Sequence, residues 1–178
     1  MANIKSTRHF RRESAFKLLF AYEFDGKADP GDFFAAYAAE FYDMDELGDF
    51  DNDYVKSLLF GVCEKKEELD AAIEKSAVKW KMSRMSAATR TILRLAVYEM
   101  LYTDAPPKVA INEAIEITKF YGDGGAPSFV NGILNGIAKN RGLFDKEDSS
   151  PASCAENADE NDGSTAESEN SAENPDAE

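Results

Sequence analysis

This sequence predicts an all-α fold, and three observations predict it. Apolar residues recur at intervals of three and four from Ala15 to Ile137, the spacing of one face of a helix. No stretch alternates polar and apolar residues with the period of a strand. The periodic segments are divided by Gly and Pro at positions suited to helix ends. The expected architecture is six to seven helices in two small bundles around a central buried helix, followed by a disordered acidic C-terminal tail.

The elements follow in order. From about Ser6 to Phe24 there is no Gly or Pro, and Ala15, Leu18, Leu19 and Tyr22 form one stripe. Gly26 and Pro30-Gly31 end that segment. A second helix runs from Asp32 to Tyr42 through Phe33, Phe34, Tyr37 and Phe41. Asp49 to Asp53 supply acids and an N-cap for a third, whose single stripe is Val55, Leu58, Leu59, Val62, Leu69 and Ile73. Trp80 opens a connecting segment of about one helical turn, up to Met85. The stretch from Ser86 to about Tyr102 is apolar around most of its circumference, which marks it as the central helix. Pro106-Pro107 opens the next helix and Gly122 ends it; Pro127 opens the last, through Phe129, Val130, Ile133, Leu134 and Ile137.

Charge divides the chain into a body and a tail. The 178 residues carry 20 basic and 34 acidic side chains, a net of −14. Between Glu147 and Glu178 there are 11 acids, no Lys or Arg, and no Ile, Leu, Val, Met or aromatic residue. Such a segment cannot bury enough apolar surface to offset its conformational entropy. Residues 1–146 form the expected folded domain and 147–178 the tail. The body is near-neutral, with 23 acids and 20 bases, and is the size of one ordinary domain.

Composition also excludes functions. No apolar run approaches a membrane span, and no apolar stretch follows the basic N-terminus as a signal peptide requires. Cys63 and Cys154 are the only cysteines, so a disulfide framework is ruled out and a cytoplasmic setting is expected. His9 is the only histidine, which excludes a His-based metal cluster or a Ser/His/Asp triad. Glu99, Glu113 and Glu116 read as structural or surface carboxylates, and Cys63 as a core thiol. No enzyme activity and no cofactor or metal is expected.

Basic and aromatic residues point to binding instead. Lys5, Arg8, Arg11, Arg12 and Lys17 face only Glu13, a local net of +4. Arg8, Arg11 and Arg12 continue the core stripe of the first helix past its N-terminal end, so that turn is either a solvated helix end or a meeting point with an anion. A second stretch holds Lys75, Lys79, Lys81, Arg84, Arg90 and Arg94 with no acid between them, whereas Tyr22 to Asp53 holds 11 acids and one Lys. Such polarisation suits nucleic-acid binding on one face and protein binding on another. Phe16, Phe20 and Phe24 form a row on the first helix, either core or a partner surface. The Gly-rich segment from Tyr121 to Phe129 is a helix connector or, with its flanking rings and helix N-terminus, a single-strand binding loop.

Three blocks carry a resemblance. Ile92-Leu93-Arg94-Leu95-Ala96-Val97-Tyr98-Glu99, then Lys108-Val109-Ala110-Ile111-Asn112-Glu113-Ala114-Ile115-Glu116, then Phe129-Val130-Asn131-Gly132-Ile133-Leu134 closely resemble the NusB transcription antitermination family in order and spacing. Arg12-Glu13 and Trp80 fit as well, and the resemblance covers about residues 6 to 141. It implies two helical subdomains and binding of boxA RNA together with NusE, the small-subunit ribosomal protein, within the RNA polymerase antitermination complex on ribosomal RNA operons. It places RNA contacts on Arg8, Arg11, Arg12 and Phe129, with Tyr121 beside them, and NusE contacts on Phe20 and Phe24. A family acid that meets the protein partner is replaced here by Thr89. Some relatives self-associate through the surface that otherwise meets RNA, so the resemblance also admits a homodimer. A plain helical interaction module without specific RNA binding is the alternative reading.

Overall fold

The computed structural model of the chain describes residues 8–25, 29–42, 52–77 and 80–144. Lys5, Lys79 and the tail 147–178 lie outside the described residues. Seven α-helices and one 3-10 turn account for nearly all of the described chain: α1 (Arg8–Asp25), α2 (Pro30–Tyr42), α3 (Asn52–Glu64), α4 (Lys66–Ser76), the 3-10 turn Met82–Arg84, α5 (Ala87–Tyr102), α6 (Pro107–Tyr121) and α7 (Ala126–Asn140). Among the described residues there is no strand.

The centre is α5. Ile92, Leu93, Leu95, Ala96, Val97 and Met100 are all buried, and so are Thr89, Thr91, Arg94 and Glu99. Helix α5 packs against α1 and α3 on one side and α4, α6 and α7 on the other, so it is shared by two bundles. Its start is set by Ser86, whose hydroxyl accepts from the Thr89 N–H. Truncating a fully buried member of this core such as Leu93 to Ala would cost about 2–5 kcal/mol.

One expected helix is two. The stripe from Val55 to Ile73 reads as a single helix, yet the chain bends at Lys65, where φ is −96° and ψ is 9°. The bend keeps its backbone bonds: Lys65 N–H donates to the Gly61 carbonyl at 3.0 Å, and its own carbonyl accepts from Leu69 N–H at 2.9 Å. It lets α3 pack with α1, α2 and α5 while α4 turns towards α5 and α7. Burial against two different bundles therefore overrides the uniform periodicity.

The boundaries next to the candidate site have local causes. Met82 and Met85 point inwards and leave Lys81, Ser83 and Arg84 outside. Pro107 occupies the first turn of α6, where its missing N–H costs nothing. The backbone leaves α6 at Gly122 in an extended conformation, and glycine stands there because a Cβ would come within 2.6 Å of Thr118 Cγ2 and 2.7 Å of the Thr118 carbonyl oxygen. Gly125 precedes α7 with φ of 86°, a left-handed conformation that favours glycine.

Candidate nucleic-acid and partner interface

The three arginines of α1 separate on folding. Arg8 is exposed and Arg11 is half-buried, but Arg12 is only 2% exposed. Arg12 Nε donates to Glu99 Oε1 at 2.7 Å, and the Tyr54 hydroxyl donates to the same oxygen at 2.8 Å. Burial alone would lower the Arg12 pKa, but the Glu99 carboxylate outweighs it and the guanidinium is held more firmly protonated. Burial first, then Glu99, pushes the Tyr54 hydroxyl up to about 12. The expectation that Arg12 meets an external anion is therefore corrected. It continues the core stripe so faithfully that it enters the core, where it ties α1 to α5. On the neighbouring face His9 Nδ1 lies 2.6 Å from Glu113 Oε2 of α6.

The second basic stretch divides in the same way. Arg90 donates through Nε and Nη2 to Glu23 Oε1, at 3.1 and 2.7 Å, and through Nη1 to the Met85 carbonyl. Arg94 holds Asp70 with two bonds, 2.6 and 2.9 Å, and reaches Glu23 Oε2 at 3.3 Å. Burial raises the Glu23 pKa, but the bonds from Arg90 and Thr91 and the charges of Arg94 and Arg90 outweigh it, so the carboxyl is held below its ordinary value. Arg90 and Arg94 are thus structural, while Lys75, Lys81 and Arg84 remain outside.

The candidate aromatics fall into two groups. Along α1, the rings of Phe16, Phe20 and Phe24 follow one another at 5.9 and 5.0 Å. The row is core at one end and surface at the other: Phe16 is 2% exposed, Phe20 is half-buried and Phe24 is 69% exposed. Tyr121 joins the buried end, 5.0 Å from the Phe16 ring. Its hydroxyl donates to Glu13 Oε1 at 2.6 Å, and Lys17 Nζ lies 5.8 Å from its ring centre. Burial raises the Glu13 pKa, but bonds from Tyr121 and Lys17 bring it below the ordinary value. Phe129 belongs to the other group and packs edge-to-face with Trp80 at 5.6 Å.

Thr89 is corrected as well. Expected to face a protein partner, it is 4% exposed and its hydroxyl accepts from Ser86 Oγ at 3.0 Å. The residue completes the α5 cap and offers no exposed contact. Three exposed rings were not picked out as site residues: Phe120, 77% exposed on α6, Trp80 and Tyr102. The signal for Trp80 was a lone tryptophan flanked by Lys79 and Lys81.

An all-helical scaffold that presents cations and open aromatic rings, with Arg12, Arg90 and Arg94 tied into internal pairs, has the chemistry of a binding module: phosphate pairing, stacking and apolar contact. The comparisons with known proteins say which one. The NusB family model matches residues 9–139. A transcription antitermination protein NusB of Desulfosudis oleivorans is 40% identical over 138 residues, covering 77% of this chain and 88% of that protein. The solved NusB of T. maritima superposes with a TM-score of 0.68 at 35% identity, over 80% of this chain and 99% of that one. A crystal structure of antitermination factors NusB and NusE in complex with dsRNA gives a TM-score of 0.64 at 29% identity, over 75% and 96%. The chain belongs to the NusB family and is a transcription antitermination factor. Among the described residues no helix is long and apolar enough to cross a membrane.

Proposed function

We propose that the chain binds boxA-type single-stranded RNA jointly with the NusE ribosomal protein, as part of the RNA polymerase antitermination complex in the cytoplasm. By doing so it supports processive transcription, above all of ribosomal RNA operons. The observation that carries this reading is the likeness to the NusB chain of the NusB–NusE–dsRNA complex. The role needs no catalytic group and no cofactor.

The residues support a division of labour. Arg8 and Arg11, at the N-terminal end of α1, supply phosphate contacts, with Tyr121 and Phe129 as the stacking rings. Arg12 acts through Glu99 as a positioning residue, holding the basic turn against α5. Phe24 and the outer edge of Phe20 form the NusE contact, since an aromatic as exposed as Phe24 is common at interface hot spots. The body 1–146 carries all of these contacts, and the tail 147–178 is not needed for them.

The test is a gel shift with boxA-like and scrambled RNA, with and without NusE. Preferential binding of the boxA-like RNA, strengthened by NusE, is expected. Absent or sequence-independent binding under both conditions would instead establish a helical protein-interaction module.

A further inference from the structure

A groove of about 320 Å³ opens between the segment that starts at Trp80 and the connector between α6 and α7. Trp80 and Phe129 form its aromatic wall, Arg84 and Asp123 its charged rims, and Gly124-Gly125 part of its floor. Several features of this groove go beyond what packing among the described residues uses. Trp80 is the only tryptophan and is 53% exposed, which leaves apolar area in water at a cost of about 25 cal/mol per Å². Its edge-to-face contact with Phe129 occupies a face of only one of the two rings. Gly124 relieves no crowding, because a Cβ there would meet nothing within 4 Å. Its bare backbone instead leaves the approach to the α7 N-terminus open, and that helix has no side-chain cap. Arg84 makes no ion pair among the described residues, unlike Arg90 and Arg94 beside it in sequence.

We propose that this groove takes a single unstacked base of the RNA, held on the faces of Trp80 and Phe129, with Arg84 on the adjoining phosphate. The proposal rests on the RNA-binding reading above and adds Trp80 and Arg84 to it. Two charged residues at an aromatic-walled groove favour a base with its phosphate over an apolar side chain of a protein partner. Asp123 accepts from ring or exocyclic N–H groups, and Arg84 with exposed Lys81 supplies the counter-charge for a phosphate. Asp123 would repel a phosphate placed directly on it, so the phosphate belongs on the Arg84 rim and the base edge on the Asp123 rim.

The single tryptophan makes the test direct. The full chain is titrated with fluorophore-labelled boxA-like RNA, with and without NusE, following RNA anisotropy and Trp80 emission in parallel. The two signals should change together with one Kd. Trp80→Ala should weaken RNA binding about tenfold with the salt dependence unchanged, the scale of one stacked base. Trp80→Phe should recover most of that loss, and Arg84→Ala should reduce the salt slope by about 0.7. RNA binding with unchanged Trp80 emission and an unaffected Trp80→Ala variant would overturn the groove while leaving the proposed function in place. Loss of NusE binding without loss of RNA binding would overturn it too, making Trp80 a protein contact. Failure of the unaltered chain to bind RNA under either condition would sink both readings. If Trp80→Ala proves unfolded by circular dichroism, the emission of the unaltered chain decides alone.

Discussion

The arginines of α1 and those between residues 84 and 94 look alike in sequence and behave alike in the fold. Each run sends part of its charge inwards and leaves part outside. Arg12 meets Glu99, and Arg90 and Arg94 meet Glu23 and Asp70, while Arg8 and Arg84 stay exposed. The two inward sets differ in one respect. The Arg12–Glu99 pair is 2% exposed on both sides, whereas Glu23 and Asp70 are 18% and 28% exposed. A basic cluster thus cannot be taken as a unit of binding charge. The partner on the facing helix decides which members remain available, and the depth of burial decides what losing that partner costs.

The largest expected effect breaks the deepest pair. Arg12→Ala should destabilise the fold by about 3–5 kcal/mol, because it strands the Glu99 carboxylate in the core. Denaturant melts measure this, and a loss under about 1 kcal/mol would show that the pair is open to water. Arg94→Ala should cost less, about 1–3 kcal/mol, since its carboxylate partners keep some solvent.

Acid sharpens the same contrast. The folded-state pKa of Glu23 is depressed below its ordinary value of 4.5. Its contribution to stability is therefore complete above the unfolded value and is lost as pH falls through the folded one. Stability should fall below about pH 4.5, and Arg90→Ala should flatten that fall. An identical acid limb in the variant would place the effect elsewhere.

Phe24→Asp probes the outer end of the aromatic row. It should weaken NusE binding by about 2 kcal/mol and leave the melting temperature unchanged, as calorimetry and thermal melts can show. Phe20→Asp should affect both, because that ring packs on Phe16 as well.

Arg8→Ala is the external counterpart of Arg12→Ala. Stability should stay within about 0.5 kcal/mol, while the salt slope of RNA binding falls by about 0.7. Affinity for boxA-like and scrambled RNA should drop by similar factors, since phosphate contacts carry little sequence information. Removing residues 147–178 should have the smallest effect of all, with no change in helicity or melting temperature.

What the sequence determined by itself was everything that depends on local spacing. The start at Ser86, Pro107 in a first turn, Gly122 as a stop and the apolar circumference of α5 all act within one turn of chain, so the helical segments and their central member were legible, with α3 and α4 read as one. The blocks around Arg94, Glu113 and Phe129 were equally legible, and the family with them. Tertiary structure decided what depends on residues far apart in the chain. The bend at Lys65 exists because α3 and α4 have different neighbours, which the uniform stripe from Val55 to Ile73 cannot express. Arg12 faces a carboxylate 87 positions away, and Trp80 meets Phe129 across the edge of a groove. Periodicity places a side chain on a face of its own helix; only packing sets what stands opposite, and that choice separates a buried ion pair from an open cation.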